Sequence, residues 1–134
     1  MHKPLHPLHT VLLAGTIPLF LGVLITDVAY FNTDEVQWKN FSSWLIVGGL
    51  VFCGFAMLWA LIDLIRGGWR VRTQASYFVL LLAIWVLGFI NALVHAADAW
   101  ASMPRALVLS AIVAALVLAA TWLGLFNARE KVTA

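Results

Sequence analysis

Hydrophobic residues fill four long stretches of the chain, and polar residues gather in the short segments between them. Each stretch is close to the roughly 20 residues that an α-helix needs to cross the hydrocarbon core of a bilayer. The stretches run approximately over residues 10–30, 44–65, 76–95 and 105–126. The pattern therefore predicts an all-α integral membrane protein, a single four-helix transmembrane bundle over residues 1–134.

The connecting segments carry turn and helix-start signals. Ser42 and Ser43 precede the second stretch, Pro104 lies at the start of the fourth, and both are typical of helix N-termini. The first stretch is not expected to be a cleaved signal peptide, because it is long, contains Asp27 and lacks a small-x-small cleavage site before Asp34.

Small and polar residues form one stripe along each predicted helix. Their spacings are three, four or seven residues or sums of these, so each stripe points in one direction and is expected to face the bundle interior. The stripes are His9, Thr16, Val23 and Asp27; Gly49, Cys53, Ala56, Ala60 and Asp63; Tyr77, Gly88, Asn91, His95 and Asp98; and Ser110, Ala114, Thr121 and Gly124.

Composition supports a membrane protein and excludes other classes. The chain is 63% hydrophobic and 10% charged, whereas a soluble domain is about half apolar and about a quarter charged. An ordinary soluble enzyme, a disordered protein and a nucleic-acid-binding domain are therefore excluded. Cys53 is the single cysteine, so neither an intrachain disulfide nor a cysteine-based metal site is expected.

The basic residues predict the orientation. We call side X the side with the N-terminus, the second connection and the C-terminus, and side Y the opposite side. Six of the eight Lys and Arg lie on side X, and Lys39 and Arg105 lie on side Y. Because basic residues favour the cytoplasmic side, both termini are expected inside.

Ionisable residues within membrane spans are functional candidates, and one group is predicted near side Y. It consists of Asp27, Asn91, His95 and Asp98. A histidine beside a carboxylate could relay protons near a quinone-type ligand, so these residues are the candidate cofactor-binding site. The alternative is structural: His95 hydrogen-bonds Asp27 or Asp98 and ties the first helix to the third.

A second group is predicted near side X, where His6, His9 and Asp63 offer two imidazoles and a carboxylate. This is a common donor set for a transition metal. Alternatively, the histidines form an interfacial cap and Asp63 pairs with Arg66 or a histidine. His9 and His95 are separated by about 27 Å along the bundle, so they cannot both ligate one haem within a chain.

The same residues lie in motifs that resemble a known family. His6-Pro7-Leu8-His9 and Thr26-Asp27-Val28-Ala29-Tyr30 are similar to the opening and close of the first helix in bacterial membrane proteins of the "domain of unknown function 2231" family. The resemblance covers nearly the whole chain. Further motifs carry it, namely Phe41-Ser42-x-Trp44-Leu45, Leu61-Ile62-Asp63, Ile90-Asn91-Ala92-x-x-His95-x-x-Asp98-Ala99-Trp100, Leu107-x-Leu109-Ser110-Ala111 and Trp122-Leu123-Gly124.

The resemblance implies a four-helix bacterial inner-membrane protein. Some relatives are joined to quinoprotein dehydrogenase or cytochrome c modules, which by analogy indicates respiratory electron transfer. Many family members carry a histidine where this chain has Tyr77, at the level of His9 and Asp63, and this departure weakens a metal or haem site on side X.

The leading hypothesis is a small membrane subunit or anchor for a redox partner, holding a haem, a metal ion or a quinone. The alternatives are a pathway for protons or a small ion, and a purely structural assembly subunit. An independent enzyme has the least support, because no nucleophile or acid–base pair is brought to reaction distance by spacing. A homo-oligomer remains open, and the ladder Ala111, Ala115 and Ala119 would allow close helix packing.

Overall fold

The computed structural model describes residues 6–67, 72–97 and 99–133. These residues form four α-helices, and a short 3-10 helix (Ala99–Ser102) lies between the last two. The α-helices are α1 (Pro7–Thr33), α2 (Val36–Gly67), α3 (Arg72–His95) and α4 (Arg105–Thr133). All four are long and apolar enough to cross a membrane, which confirms the predicted all-α membrane fold. The orientation of the termini stays a prediction.

The helices pack as a closed ring in which each helix contacts its two neighbours. The extensive contacts join α1 to α2, α2 to α3, α3 to α4 and α4 back to α1. Consequently α1 and α3 lie diagonally opposite each other, and side chains from these two helices can meet at the bundle centre.

The connection between α1 and α2 is much shorter than predicted. Asp34 adopts a left-handed conformation with φ of 60°, and its N–H donates to the Tyr30 carbonyl, which ends α1. Helix α2 then begins at Val36, because residues 36–41 contain no Gly or Pro that would interrupt a helix. Ser42 therefore lies within α2 and does not cap its start, contrary to the sequence-based expectation.

The predicted stripes face the interior with one exception among the described residues. Every stripe residue of α1, α3 and α4 within the described ranges is buried, and so are the α2 residues from Gly49 to Ala60 in the stripe. Asp63 is exposed, because in the last turns of α2 the inward positions are taken by Ala60 and Leu64. Asp98 lies outside the described residues.

The middle of the bundle is an apolar layer. Leu13, Phe20, Leu81, Ile84 and Val117 belong to one buried cluster between the two ends of the molecule. Large apolar side chains also cover the outside of the helices, including Trp44 (76% exposed) and Trp122 (74% exposed). Such a surface suits lipid contact, since exposed apolar area on this scale is unusual for a soluble monomer.

Candidate functional site

The Asp27 carboxylate is the centre of a buried polar cluster near side Y. Its side chain is completely buried, and it forms a hydrogen bond with each of the other three helices. Ser42 on α2 lies 2.7 Å from Oδ1, His95 on α3 lies 2.8 Å from the same oxygen, and Ser110 on α4 donates to Oδ2. One carboxylate therefore links all four helices.

The ring of His95 is held at both nitrogens. Nδ1 lies 2.9 Å from the carbonyl oxygen of Asn91, and Nε2 lies 2.8 Å from Asp27 Oδ1. A carbonyl oxygen can only accept, so Nδ1 carries a proton. The hydrogen bond between Nε2 and Asp27 then contains one further proton. Whether this proton resides on the imidazole or on the carboxyl group, the pair has no net charge.

Two short chains of polar side chains end on the same carboxylate. Ser42 donates to Asp27, and its oxygen lies 2.6 Å from the hydroxyl of Thr26, which also donates to backbone carbonyl oxygens of its own helix. On the other side, the Asn91 amide donates to Ser110 over 2.9 Å, and Ser110 donates to Asp27. This convergence of donors stabilises negative charge on Asp27.

Asn91 leaves one acceptor of the cluster without a partner. Its side-chain carbonyl oxygen, Oδ1, is buried and has no donor among the described residues. A buried acceptor without a hydrogen bond costs about 1–3 kcal/mol.

The structure brings together three of the four residues predicted for side Y. Asp27, Asn91 and His95 form the cluster, and Asp98 lies outside the described residues. The sequence-based prediction did not include Thr26, Ser42 and Ser110. Ser110 was detectable from its position on the α4 stripe, whereas Ser42 was interpreted as a helix-start signal.

On side X, His9 forms a second diagonal link between α1 and α3. His9 is 1% exposed, and its Nε2 lies 2.8 Å from the Tyr77 hydroxyl. Tyr77 was expected at this level of the bundle, and the contact shows that the phenol occupies the space opposite His9. The Trp59 ring lies edge-on to His9, with ring centroids 5.8 Å apart.

His6, His9 and Asp63 do not form the predicted metal-binding arrangement. Within residues 6–67, 72–97 and 99–133, no three His, Cys, Asp or Glu are grouped so that they could hold a metal ion. One nitrogen of His9 faces Tyr77, His6 Nδ1 accepts the Leu8 N–H, and Asp63 is exposed at the end of α2. The three side chains are therefore not gathered around one point.

The positions of the two buried histidines decide whether they could ligate a haem iron. His95 has no ring nitrogen free to ligate an iron atom, because both are in hydrogen bonds. His9 and His95 lie near opposite ends of the bundle, as their predicted separation along the helices requires. The His95 site as folded does not fit a haem or a metal ion.

Comparison with known proteins identifies a family. A family model described as "Predicted membrane protein (DUF2231)" matches residues 5–132. No curated protein and no solved structure matches the chain.

Proposed function

The chain belongs to the DUF2231 family of predicted membrane proteins, and from this premise we propose that it is a small membrane-anchor subunit whose buried polar cluster locks four helices into one arrangement. A single observation carries the proposal: Asp27 is completely buried and forms hydrogen bonds with all three other helices.

The cluster favours a structural role over ligand binding. In a bilayer no lateral hydrophobic force holds helices together, so packing and interhelical hydrogen bonds select their arrangement. Asp27 is hydrogen-bonded to the three other helices, and His95 uses its two ring nitrogens on Asp27 and on a carbonyl oxygen of its own helix. A ligand at either residue would first have to break these contacts.

The partner of such an anchor is proposed to be a respiratory redox protein. The support is the sequence resemblance, in which some relatives are joined to redox modules. We further propose a bacterial inner membrane, which the sequence resemblance implies. Both termini are proposed to lie in the cytoplasm, because six of eight basic residues belong to side X. In this arrangement the redox groups belong to the partner.

The test compares His95→Ala with the wild-type full-length chain purified from membranes under mild detergent. We expect a lower unfolding temperature and a lower yield of copurifying redox protein, because loss of His95 leaves Asp27 without its partner. Gln37→Ala is the matched control, since Gln37 is exposed and outside the cluster. We expect its stability and its yield to resemble those of the wild type.

A reduced-minus-oxidised absorption spectrum of the isolated chain completes the experiment. The anchor function predicts no haem band once the partner has been removed. A haem band that disappears in His95→Ala while the unfolding temperature stays unchanged would contradict the proposal. If no redox protein copurifies with the wild-type chain, the part of the proposal that names a redox partner is wrong.

A further inference from the structure

The His9 imidazole on side X has a buried nitrogen without a partner. Nε2 faces Tyr77, but Nδ1 is buried and makes no hydrogen bond to the described residues. The two ring nitrogens of an imidazole point in widely different directions, so Tyr77 cannot serve both. This unsatisfied group is separate from the Asp27 cluster, about 27 Å away along α1.

The proton on His9 can be assigned from Tyr77. The Tyr77 side chain is buried, and within the described residues its hydroxyl forms a hydrogen bond only with His9. If His9 donated to this oxygen, the phenol hydrogen would be left buried without an acceptor. The satisfied arrangement is therefore Tyr77 O–H donating to Nε2, which places the imidazole proton on Nδ1. The unpaired atom is a donor, and its missing partner is an acceptor.

The rings of Trp59 and Tyr77 lie against the His9 imidazole, and the His6 ring lies against Trp59. The His6 and Trp59 ring centroids are 4.9 Å apart, those of His9 and Trp59 are 5.8 Å apart, and those of His9 and Tyr77 are 5.9 Å apart. Trp59 is partly buried and His6 is exposed, so the group reaches the surface of the bundle. His6 immediately precedes α1, and it is the ring that can move aside to admit a ligand.

We propose that these four residues form a binding site for a quinone-type molecule, with a ring carbonyl accepting a hydrogen bond from His9 Nδ1 and the quinone ring packing against Trp59. A carbonyl oxygen supplies the missing acceptor, and a planar ring suits the aromatic walls. A lipid ester carbonyl has the same acceptor chemistry but no ring to stack. The site goes beyond the anchor function and does not depend on it.

The experiment titrates decylubiquinone into the full-length chain in phosphatidylcholine nanodiscs and follows tryptophan fluorescence. The chain has seven tryptophans, so the signal of Trp59 is taken as the difference between the wild type and Trp59→Phe. We expect saturable quenching that Trp59→Phe largely removes. Trp44→Phe is the matched control, because Trp44 is lipid-facing near side Y, and its apparent affinity should equal that of the wild type.

His9→Phe tests the hydrogen bond while keeping an aromatic ring. We expect the affinity for decylubiquinone to fall by up to about tenfold, since one buried hydrogen bond is lost. Tyr77→Phe removes the hydroxyl that holds the imidazole and should weaken binding to a smaller extent. Quenching that never saturates, or an unchanged affinity in a folded His9→Phe, would overturn the proposal.

A measurement on the wild type alone keeps the proposal testable if His9→Phe does not fold. In ¹⁵N-histidine-labelled chain, saturating decylubiquinone should shift the His9 Nδ1 resonance. If that resonance instead differs between phosphatidylcholine nanodiscs and maltoside micelles and does not respond to the quinone, the acceptor is a lipid carbonyl and the quinone site is refuted.

Discussion

At the scale of single residues, the buried pair of Asp27 and His95 shows how a chain can hold ionisable groups within a membrane. An isolated charge there is expensive, but this pair is neutral overall and Asp27 receives two further hydrogen bonds. A buried pair is costly to break from one side, because the remaining charge stays desolvated. Stability should therefore fall more when His95 alone is removed than when both residues of the pair are kept or both are changed.

We expect His95→Ala to lower the free energy of unfolding by about 3–5 kcal/mol, since it leaves the Asp27 carboxylate unpaired. Asp27→Asn should cost about 1–2 kcal/mol, because the amide can still donate to His95 and accept from a serine. Adding Asp27→Asn to His95→Ala should recover part of the loss. Reversible unfolding in mixed micelles provides the measurement.

The control for this series is Thr33→Ala. Thr33 is exposed, and its change should alter the free energy by no more than about 0.5 kcal/mol. If His95→Ala destabilises the chain no more than Thr33→Ala does, the pair is not the lock that we propose.

At the scale of helices, the described polar links across the bundle centre join the diagonal pair α1 and α3. His95 reaches Asp27 near side Y, and His9 reaches Tyr77 near side X. Between these links the helices approach through small residues. A Cβ atom at Gly49 would lie 2.7 Å from the Phe20 ring, so α2 can pack against α1 at this distance only without a side chain there.

Gly49→Ala should therefore destabilise the bundle by about 1–3 kcal/mol, because the buried Phe20 ring must move. Gly48→Ala is its matched control. The Cβ atom at Gly48 would lie 3.3 Å from the end of the Leu19 side chain, which is partly buried and can adjust. Both changes raise helix propensity equally, so equal unfolding temperatures for the two variants would refute the packing argument.

At the scale of the whole molecule, two polar ends are separated by an apolar middle. Thr16 is the polar stripe residue of α1 in this layer, and its hydroxyl donates to the backbone of its own helix. Apart from Cys53, whose thiol donates to the Leu81 carbonyl, the neighbouring core side chains are aliphatic or aromatic. This arrangement provides no polar route within the described core from His9 to Asp27, so a proton or ion pathway has less support than an anchor function.

The proposed orientation can be tested on the intact cell. In a Cys53→Ala background, Glu35→Cys should react with a membrane-impermeant maleimide from outside, because Glu35 is exposed in the short connection on side Y. Thr133→Cys should react only after the membrane is permeabilised. The reverse pattern would place the termini outside and contradict the proposal that is based on basic residues.

The sequence by itself determined the number of helices and, apart from Asp63, the inward faces of the described residues. In a bilayer, the backbone of a long apolar run has no water to hydrogen-bond, so it forms a helix in which its own N–H and C=O groups pair. The spacing of small and polar residues selects the buried face. The match with the family over residues 5–132 agrees with the motifs that indicated it. The helices and their inward faces both depend on local periodicity, which is visible in one sequence.

The tertiary structure alone decided which polar atoms meet. Ser42 and Ser110 lie far apart in sequence, and only the ring order of the helices brings both to Asp27. The same order sets Tyr77 against His9 and leaves Asp63 exposed. A hydrogen bond requires atoms within about 3 Å, whereas the sequence fixes only the face of a helix and its approximate depth.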